Sequence, residues 1–334
     1  RLGKMKKIIN LKKSLLLAAV IVLCVALAGC FGEHEKPAVK IVMAPYFGSW
    51  LCTYGIVSGE VVSEEVDVII DQSLAFDDQM MAGNYPIGAM NTAAFAISRE
   101  VASFDIKAMA VYLAHSGVET DNGVALVYVK KNSAFSSPAD LAGKKIGVPG
   151  LNSGIASTFI GLLKSEYGIN ESSVTLVDGG PPQLLEFVRK GDLDAAVVLG
   201  DPSVQAYYSE DLQVLWNLDN TFTGIYGTYN PASFLTVRSD YLEENPEVVE
   251  AVYELLKESR EYGEARLEAL SREYVNQFGG DANFYQNAYL KHYSVTFDSI
   301  EGELEQAVMA IFGFVEDRGI ISSIPQTEEL FVEW

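Results

Sequence analysis

Met81-Ala82-Gly83-Asn84-Tyr85-Pro86-Ile87-Gly88-Ala89 and Arg189-Lys190-Gly191-Asp192-Leu193-Asp194-Ala195-Ala196-Val197 carry one pattern twice, 108 residues apart. Each reads as a helix end, a glycine, a two-residue turn and a short apolar strand. Glycine closes helices there because it takes the left-handed backbone conformation without a Cβ penalty, and the run after it has strand character. Two further matches stand in the same order at nearly the same spacing. Lys40-Ile41-Val42-Met43 pairs with Lys145-Ile146-Gly147-Val148, and Val68-Ile69-Ile70-Asp71 with Thr175-Leu176-Val177-Asp178. Three ordered matches at near-constant spacing indicate a duplicated unit, hence two similar α/β lobes.

Working outward, short β-rich runs alternate with helix-length amphipathic segments, the pattern of βαβ units around largely parallel sheets. The first set of predicted strands is Val39 to Met43, Val66 to Ile70, Ile87 to Met90, Ile106 to Tyr112 and Val124 to Val129. The second is Lys145 to Val148, Val174 to Val177, Ala195 to Val198 and Gln213 to Trp216. Helices are expected at Thr92 to Ser103, Gly154 to Tyr167, Leu184 to Lys190 and, as one long element, Pro246 to Phe278. Pro231 to Val237 returns to strand character and the remaining hundred residues read as mostly helical. They are expected to rejoin the first lobe, making it discontinuous. The expected division is a first lobe of residues 38–125 plus 231–334 and a second of 126–230, with hinge crossings near 124–131 and 223–233.

The 334 residues carry 24 Lys+Arg and 45 Asp+Glu, a net charge of −21. Six of the basic residues (Arg1, Lys4, Lys6, Lys7, Lys12, Lys13) and no acidic one fall in residues 1–29, so the rest of the chain stands at −27. Such a field repels nucleic acid and anionic membrane surfaces, and no nucleic-acid partner is expected. The basic stretch leads into Leu15 to Ala28, fourteen apolar residues, short of the roughly 20 that span a bilayer. This reads as a signal peptide over 1–29. Leu27-Ala28-Gly29-Cys30 resembles the lipobox of bacterial and archaeal lipoproteins. The resemblance implies acylation of Cys30, cleavage before it, a tether over 30–37, and anchoring at the outer face of the cytoplasmic membrane. Of the three cysteines, Cys24 lies in the removed segment and Cys30 is the lipid site. Cys52 alone remains, so no disulfide forms within the mature chain.

Ser137-Pro138-Ala139-Asp140-Leu141-Ala142-Gly143-Lys144-Lys145-Ile146-Gly147-Val148, Gly191-Asp192-Leu193-Asp194-Ala195-Ala196 and Glu328-Glu329-Leu330-Phe331 together resemble the nitrate/sulfonate/taurine-type solute-binding proteins of ABC importers. That family also holds thiamine-precursor and riboflavin binders. The resemblance extends over most of residues 38–334 and implies two Rossmann-like lobes joined by a two-crossing hinge, the type 2 periplasmic-binding-protein architecture. It implies a monomer that closes on one small-molecule solute and hands it to a membrane permease driven by a cytoplasmic ATPase. A ligand-sensing lipoprotein of the same fold, signalling to a membrane receptor, is the alternative. Some relatives of the pyrimidine-precursor binders are enzymes using a cysteine-rich iron motif, which a chain with only Cys52 does not supply. An enzyme is therefore not expected.

Ligands of open α/β sheets sit at the carboxyl ends of strands, where helix N-termini expose N–H groups. In the first lobe this selects Tyr46, Phe47 and Trp50 after the first strand, then Ser73, Asn91, Thr92 and His115. In the second it selects Asn152, Ser153, Gly154, Gly179 and Asp201, with Tyr226 near the second crossing. Gly150 to Gly154 lacks the Gly-Lys-Ser/Thr of a phosphate-binding loop. His34, His115 and His292 are too scattered for a metal site. Neither a cofactor nor a metal is expected. These loops contain no Arg or Lys, which argues against a multiply charged anion held by Arg forks. Helix N-termini can still hold a single oxyanion such as sulfonate, nitrate or bicarbonate, whereas Tyr46, Phe47, Trp50, Tyr226 and Tyr229 suit a flat heteroaromatic ring such as a pyrimidine or flavin precursor. An organic solute, sulfonated or heteroaromatic, is the expected ligand.

Overall fold

The computed structural model describes residues 36–101, 105–120, 122–324 and 326–334. The expected signal peptide, Cys30, His34 and all of the tether before Lys36 lie outside the described residues. From Ala38 onward the chain builds two sheets. The first contains β1 (Ala38–Met43), β2 (Asp67–Gln72), β3 (Ile87–Asn91), β4 (Ile106–Ala114), β10 (Pro231–Arg238) and β11 (Ser294–Asp298), in the order β11-β4-β10-β3-β1-β2. The second contains β5 (Leu126–Lys130), β6 (Lys145–Val148), β7 (Thr175–Asp178), β8 (Ala195–Val198) and β9 (Leu212–Asn217), in the order β7-β6-β8-β5-β9.

The duplication read from the sequence is visible in the pairing. Ile41 sits opposite Ile87 and Val42 opposite Gly88 in a parallel pair, and their counterparts Ile146 and Gly147 sit opposite Ala195 and Ala196. Each parallel trio is then joined by an antiparallel strand, β10 against β3 and β5 against β8. The α/β class with two lobes is thus the observed one.

Period-two alternation explains why the second sheet is apolar on both faces. Val127 and Val129 of β5, with Ala195 and Val197 of β8, enter one core together with Phe159, Leu162 and Trp216. Leu126, Tyr128, Ala196 and Val198 enter the other, with Leu184 and Val188. Helices cover these faces and supply the edges of the cleft: α1 (Phe47–Ser58), α2 (Phe76–Met81), α3 (Thr92–Val101), α4 (Gly154–Tyr167), α5 (Pro181–Lys190), α6 (Gly200–Tyr207) and α7 (Leu218–Tyr226).

The C-terminal third departs from expectation in two ways. The predicted single helix over Pro246 to Phe278 is two, α9 (Pro246–Glu264) and α10 (Leu267–Phe278), after the short α8 (Ser239–Glu244). Arg266 leaves the helical backbone at φ −124°, just after α9 presses against α1, so that α10 redirects toward α11 (Ala282–Lys291). The region also contains β11, which pairs with β4. Its last long helix, α12 (Glu303–Asp317), serves both lobes. Leu304, Val308, Phe312 and Val315 lie in the core of the first sheet, while Ala307 and Ile311 lie in a core of the second. The chain ends with α13 (Thr327–Leu330), followed by a single parallel bridge from Phe331 to Ala108.

Two segments, residues 115–120 with 122–125, and residues 227–230, carry the chain between the sheets, and buried Asp219 ties them together. One of its oxygens accepts the backbone N–H of Val124 and Ala125 at 2.7 and 2.8 Å. The other accepts Asn230 Nδ2 at 2.8 Å and lies 3.1 Å from His115 Nδ1.

Candidate functional site

A cleft of about 600 Å³ lies between the sheets at the carboxyl ends of β1, β3, β6 and β8. Six helices begin at it: Tyr46 caps α1, Phe76 opens α2, and four more follow. Thr92 and Gly154 open α3 and α4, Pro181 opens α5, and Gly200 opens α6. Gly200 has φ +69°, a conformation that glycine takes freely and that turns the chain from β8 into α6. Ser153 caps α4, its Oγ accepting the Ala156 N–H, the ordinary way to satisfy a helix's first donors.

Of the residues selected from sequence, Tyr46, Asn91, Thr92, His115, Asn152, Ser153, Gly154 and Asp201 line this cleft. Five do not. Tyr46 is the N-cap of α1 rather than part of a loop, and one helical step later Phe47 is fully buried among Tyr274, Tyr285 and Tyr289. Trp50, on the same helix, packs on Tyr54 and Tyr274. Ser73 caps the turn before α2, accepting from Ala75 N–H. Gly179 lies under Leu184 of α5, which a Cβ there would meet at 2.8 Å. Tyr226, at the end of α7, stacks on Phe222 at 4.6 Å. The aromatic wall expected around a flat ring therefore reduces to Tyr46, joined by Phe76, Tyr112 and Tyr293.

Sequence reading missed Ser49, Asp77, Tyr112, Thr158, Asn230, Ser233 and Tyr293, all of which line the cleft. Ser49 stands in the first turn of α1, a helix that the sequence reading took for a loop, and Thr158 lies more than one turn inside α4, where a helix-start rule does not look. Tyr293 precedes β11, which the helical reading of that region hid. Asp77 had a usable signal, an acidic residue in the first turn of a helix after a strand.

Among the described residues the lining of the cleft contains no Lys or Arg. Its titratable groups are Asp77, Asp201, His115 and the three tyrosines. Asp77 accepts from Asn91 twice, from the backbone N–H at 2.8 Å and from Nδ2 at 2.6 Å, yet burial raises its pKa. Burial likewise raises the pKa of Asp201, which accepts from the Tyr293 hydroxyl at 3.3 Å. The Tyr293 and Tyr112 phenols are pushed far up by burial, and Tyr112 shares a short hydrogen bond with Ser49 Oγ. Cys52 lies away from the cleft, fully buried, with its thiol pKa raised chiefly by burial. Such a thiol is a packing group rather than a nucleophile. Among the described residues no set of His, Cys, Asp and Glu is grouped to hold a metal ion, and no helix is long and apolar enough to cross a membrane.

Comparison with known proteins gives the same picture. The family model described as "NMT1/THI5 like" matches residues 74–266. The Escherichia coli (strain K12) taurine-binding periplasmic protein is 37% identical over 132 residues, which is 39% of this chain and 38% of that protein's length. In structure, the E. coli periplasmic aliphatic sulphonate binding protein superposes with a TM-score of 0.71 at 12% identity, over 90% of this chain and 93% of the other. The alkanesulfonate-binding protein from Xanthomonas axonopodis pv. citri, bound to MOPS, gives 0.69 at 13% identity, over 89% and 99%. At such identities the structural likeness establishes the fold.

Proposed function

Because this chain belongs to the NMT1/THI5-like family, we propose that it is the extracytoplasmic solute-binding component of an ABC importer, capturing a small organic solute between its lobes. The observation that carries this reading is the cleft itself. It lies between two similarly built lobes, six helices begin at it, and its polar groups converge on one space of about 600 Å³. That is a size and character suited to a small molecule. Closure of the lobes around the two linking segments would enclose the solute and present a single shape to a permease. The taurine-binding relative supports a sulfonate-type or amine-bearing organic solute. Binding rather than chemistry fits a site whose side chains include no activated nucleophile. Anchoring through a lipid on Cys30 and action as a monomer complete the proposal. Mass spectrometry of the membrane-extracted protein should show an acylated N-terminal Cys30.

Thermal denaturation against a panel of sulfonates, nitrate, bicarbonate, pyrimidines, flavins and amines tests the binding role. A solute at a hundred times its Kd adds about 2.7 kcal/mol of stability. One selective upward shift is expected, and a flat response to every class would overturn the reading.

A further inference from the structure

The cleft's charge is one-sided. Asp77 stands in the first turn of α2 in one lobe and Asp201 at the start of α6 in the other, and both line the cavity. The Tyr46 ring lines the same cavity as both carboxylates. Among the described residues, no Lys or Arg of the lining answers them. Among the described residues the one basic side chain in the lining is His115, and its Nδ1 is turned to Asp219 behind the cleft wall. Asp201 has the single Tyr293 contact, at 3.3 Å.

A second observation is independent of these acids. Ser233 and Thr158 line the same cavity, are only 3% and 2% exposed, and their hydroxyls have no hydrogen-bond partner among the described residues. Neither oxygen is sealed in the core, so both hydroxyls stay open to the cavity that they line and are placed to bond a polar molecule within it. An anion without a positive group would enter a low-dielectric space facing two carboxylates. A protonated nitrogen would instead meet charge-assisted acceptors from both lobes and so favour the closed form.

Resting on the solute-binding reading above, we infer that the solute carries a protonated nitrogen, held between Asp77 and Asp201 beside Tyr46, and that this group sets the selectivity of the cleft. A sulfonate is accepted when it also bears an amine. Neutral and purely anionic isosteres are rejected.

Calorimetric titration of the purified full chain with matched pairs tests this: 2-aminoethanesulfonate against ethanesulfonate, an aminomethylpyrimidine against the methylpyrimidine, and propylammonium against propanol. In at least one pair the amine-bearing member should bind ten times tighter or more. Asp201→Asn, which keeps the side-chain shape, should erase that preference, and Asp77→Asn should reduce it, with melting of the unliganded variants verifying their fold. An amine-free sulfonate or nitrate binding as tightly as any amine would overturn the inference while leaving the solute-binding role intact. So would a preference that survives both substitutions. No binding by any member of any pair would overturn the inference and the solute-binding role together.

Discussion

Asp219 and His292 show what single buried groups do here. Asp219 is fully buried and gathers two backbone N–H groups, the Asn230 amide and the His115 ring at the two segments that join the lobes. Deleting an acceptor that serves several buried donors leaves each of them desolvated and unpaired. Asp219→Ala should therefore cost about 3 kcal/mol or more, and Asp219→Asn, which keeps one acceptor, should cost less; urea denaturation midpoints would show the ranking. His292 is also fully buried, with Nδ1 2.7 Å from the Gly123 carbonyl and Nε2 3.3 Å from the Tyr208 hydroxyl. A carbonyl only accepts, so Nδ1 carries the proton and the neutral ring accepts from Tyr208. Burial, chiefly, lowers its pKa below the usual histidine value, with Lys291 adding to the effect and the Gly123 bond and Asp219 opposing it. The unfolded chain then binds a proton more readily than the folded one. This contribution is fully present above about pH 6.5, the unfolded value, and is lost as pH falls through the lower folded value. Melting temperatures of wild type and His292→Gln between pH 5 and 8 isolate it, because the acids common to both cancel in the difference. The wild type should lose more stability on acidification, and parallel curves would refute the assignment. Neither role was readable in the sequence. A lone His and a lone Asp declare nothing until the fold brings the partners, distant in the chain, around them.

At the level of elements, sequence reading succeeded where periodicity and punctuation coincide. α4 has the predicted limits because Ser153 caps its start and Gly168, at φ +67°, ends it. Every predicted strand lies within a residue or two of its observed limits, since each is a short apolar run between turn residues. What failed was the reading of continuity. The loop expected after the first strand is helix α1, whose mixed apolar and small residues show no amphipathic stripe because it is buried or half-buried on all sides up to Ile56. The break between α9 and α10 has neither proline nor a capping glycine to announce it. Gly263, in the last turn of α9, shows the constraint at work. A Cβ there would lie 2.3 Å from the Leu51 carbonyl oxygen of α1. Alanine ordinarily stabilises a helix interior by about 1 kcal/mol over glycine, but here it meets backbone that cannot rotate away. Gly263→Ala should thus destabilise, by about 1–3 kcal/mol, and a chemical denaturation curve decides the sign. A stabilised variant would mean that α1 and α9 separate easily.

At the scale of the whole molecule, the two lobes are coupled by more than their linking segments. α12 contributes to both cores, and Arg318 just beyond it holds the Glu171 carboxylate through two hydrogen bonds of 2.8 and 2.9 Å while also reaching the Leu151 carbonyl and Ser157. This fastens α12 to the second lobe, so relative motion of the lobes must be accommodated on the cleft side. There the helix starts approach closely: a Cβ on Gly154 of α4 would lie 3.1 Å from the Ala93 Cβ of α3, and the Tyr293 hydroxyl reaches Asp201. Gly154 has no left-handed backbone to preserve, so glycine is needed there for proximity and not for conformation. A single methyl could be absorbed by a small shift, whereas a branched side chain could not. Gly154→Leu should hold the lobes apart at the cleft while leaving both cores untouched. We expect the unliganded variant to melt within a few degrees of wild type, to show a larger radius of gyration in solution scattering with solute present, and to bind its solute at least tenfold more weakly. Closure and affinity are one equilibrium in such a design, because a solute gripped by both lobes loses half its contacts when they cannot meet. Undiminished affinity in the propped variant would show instead that one lobe does the binding alone.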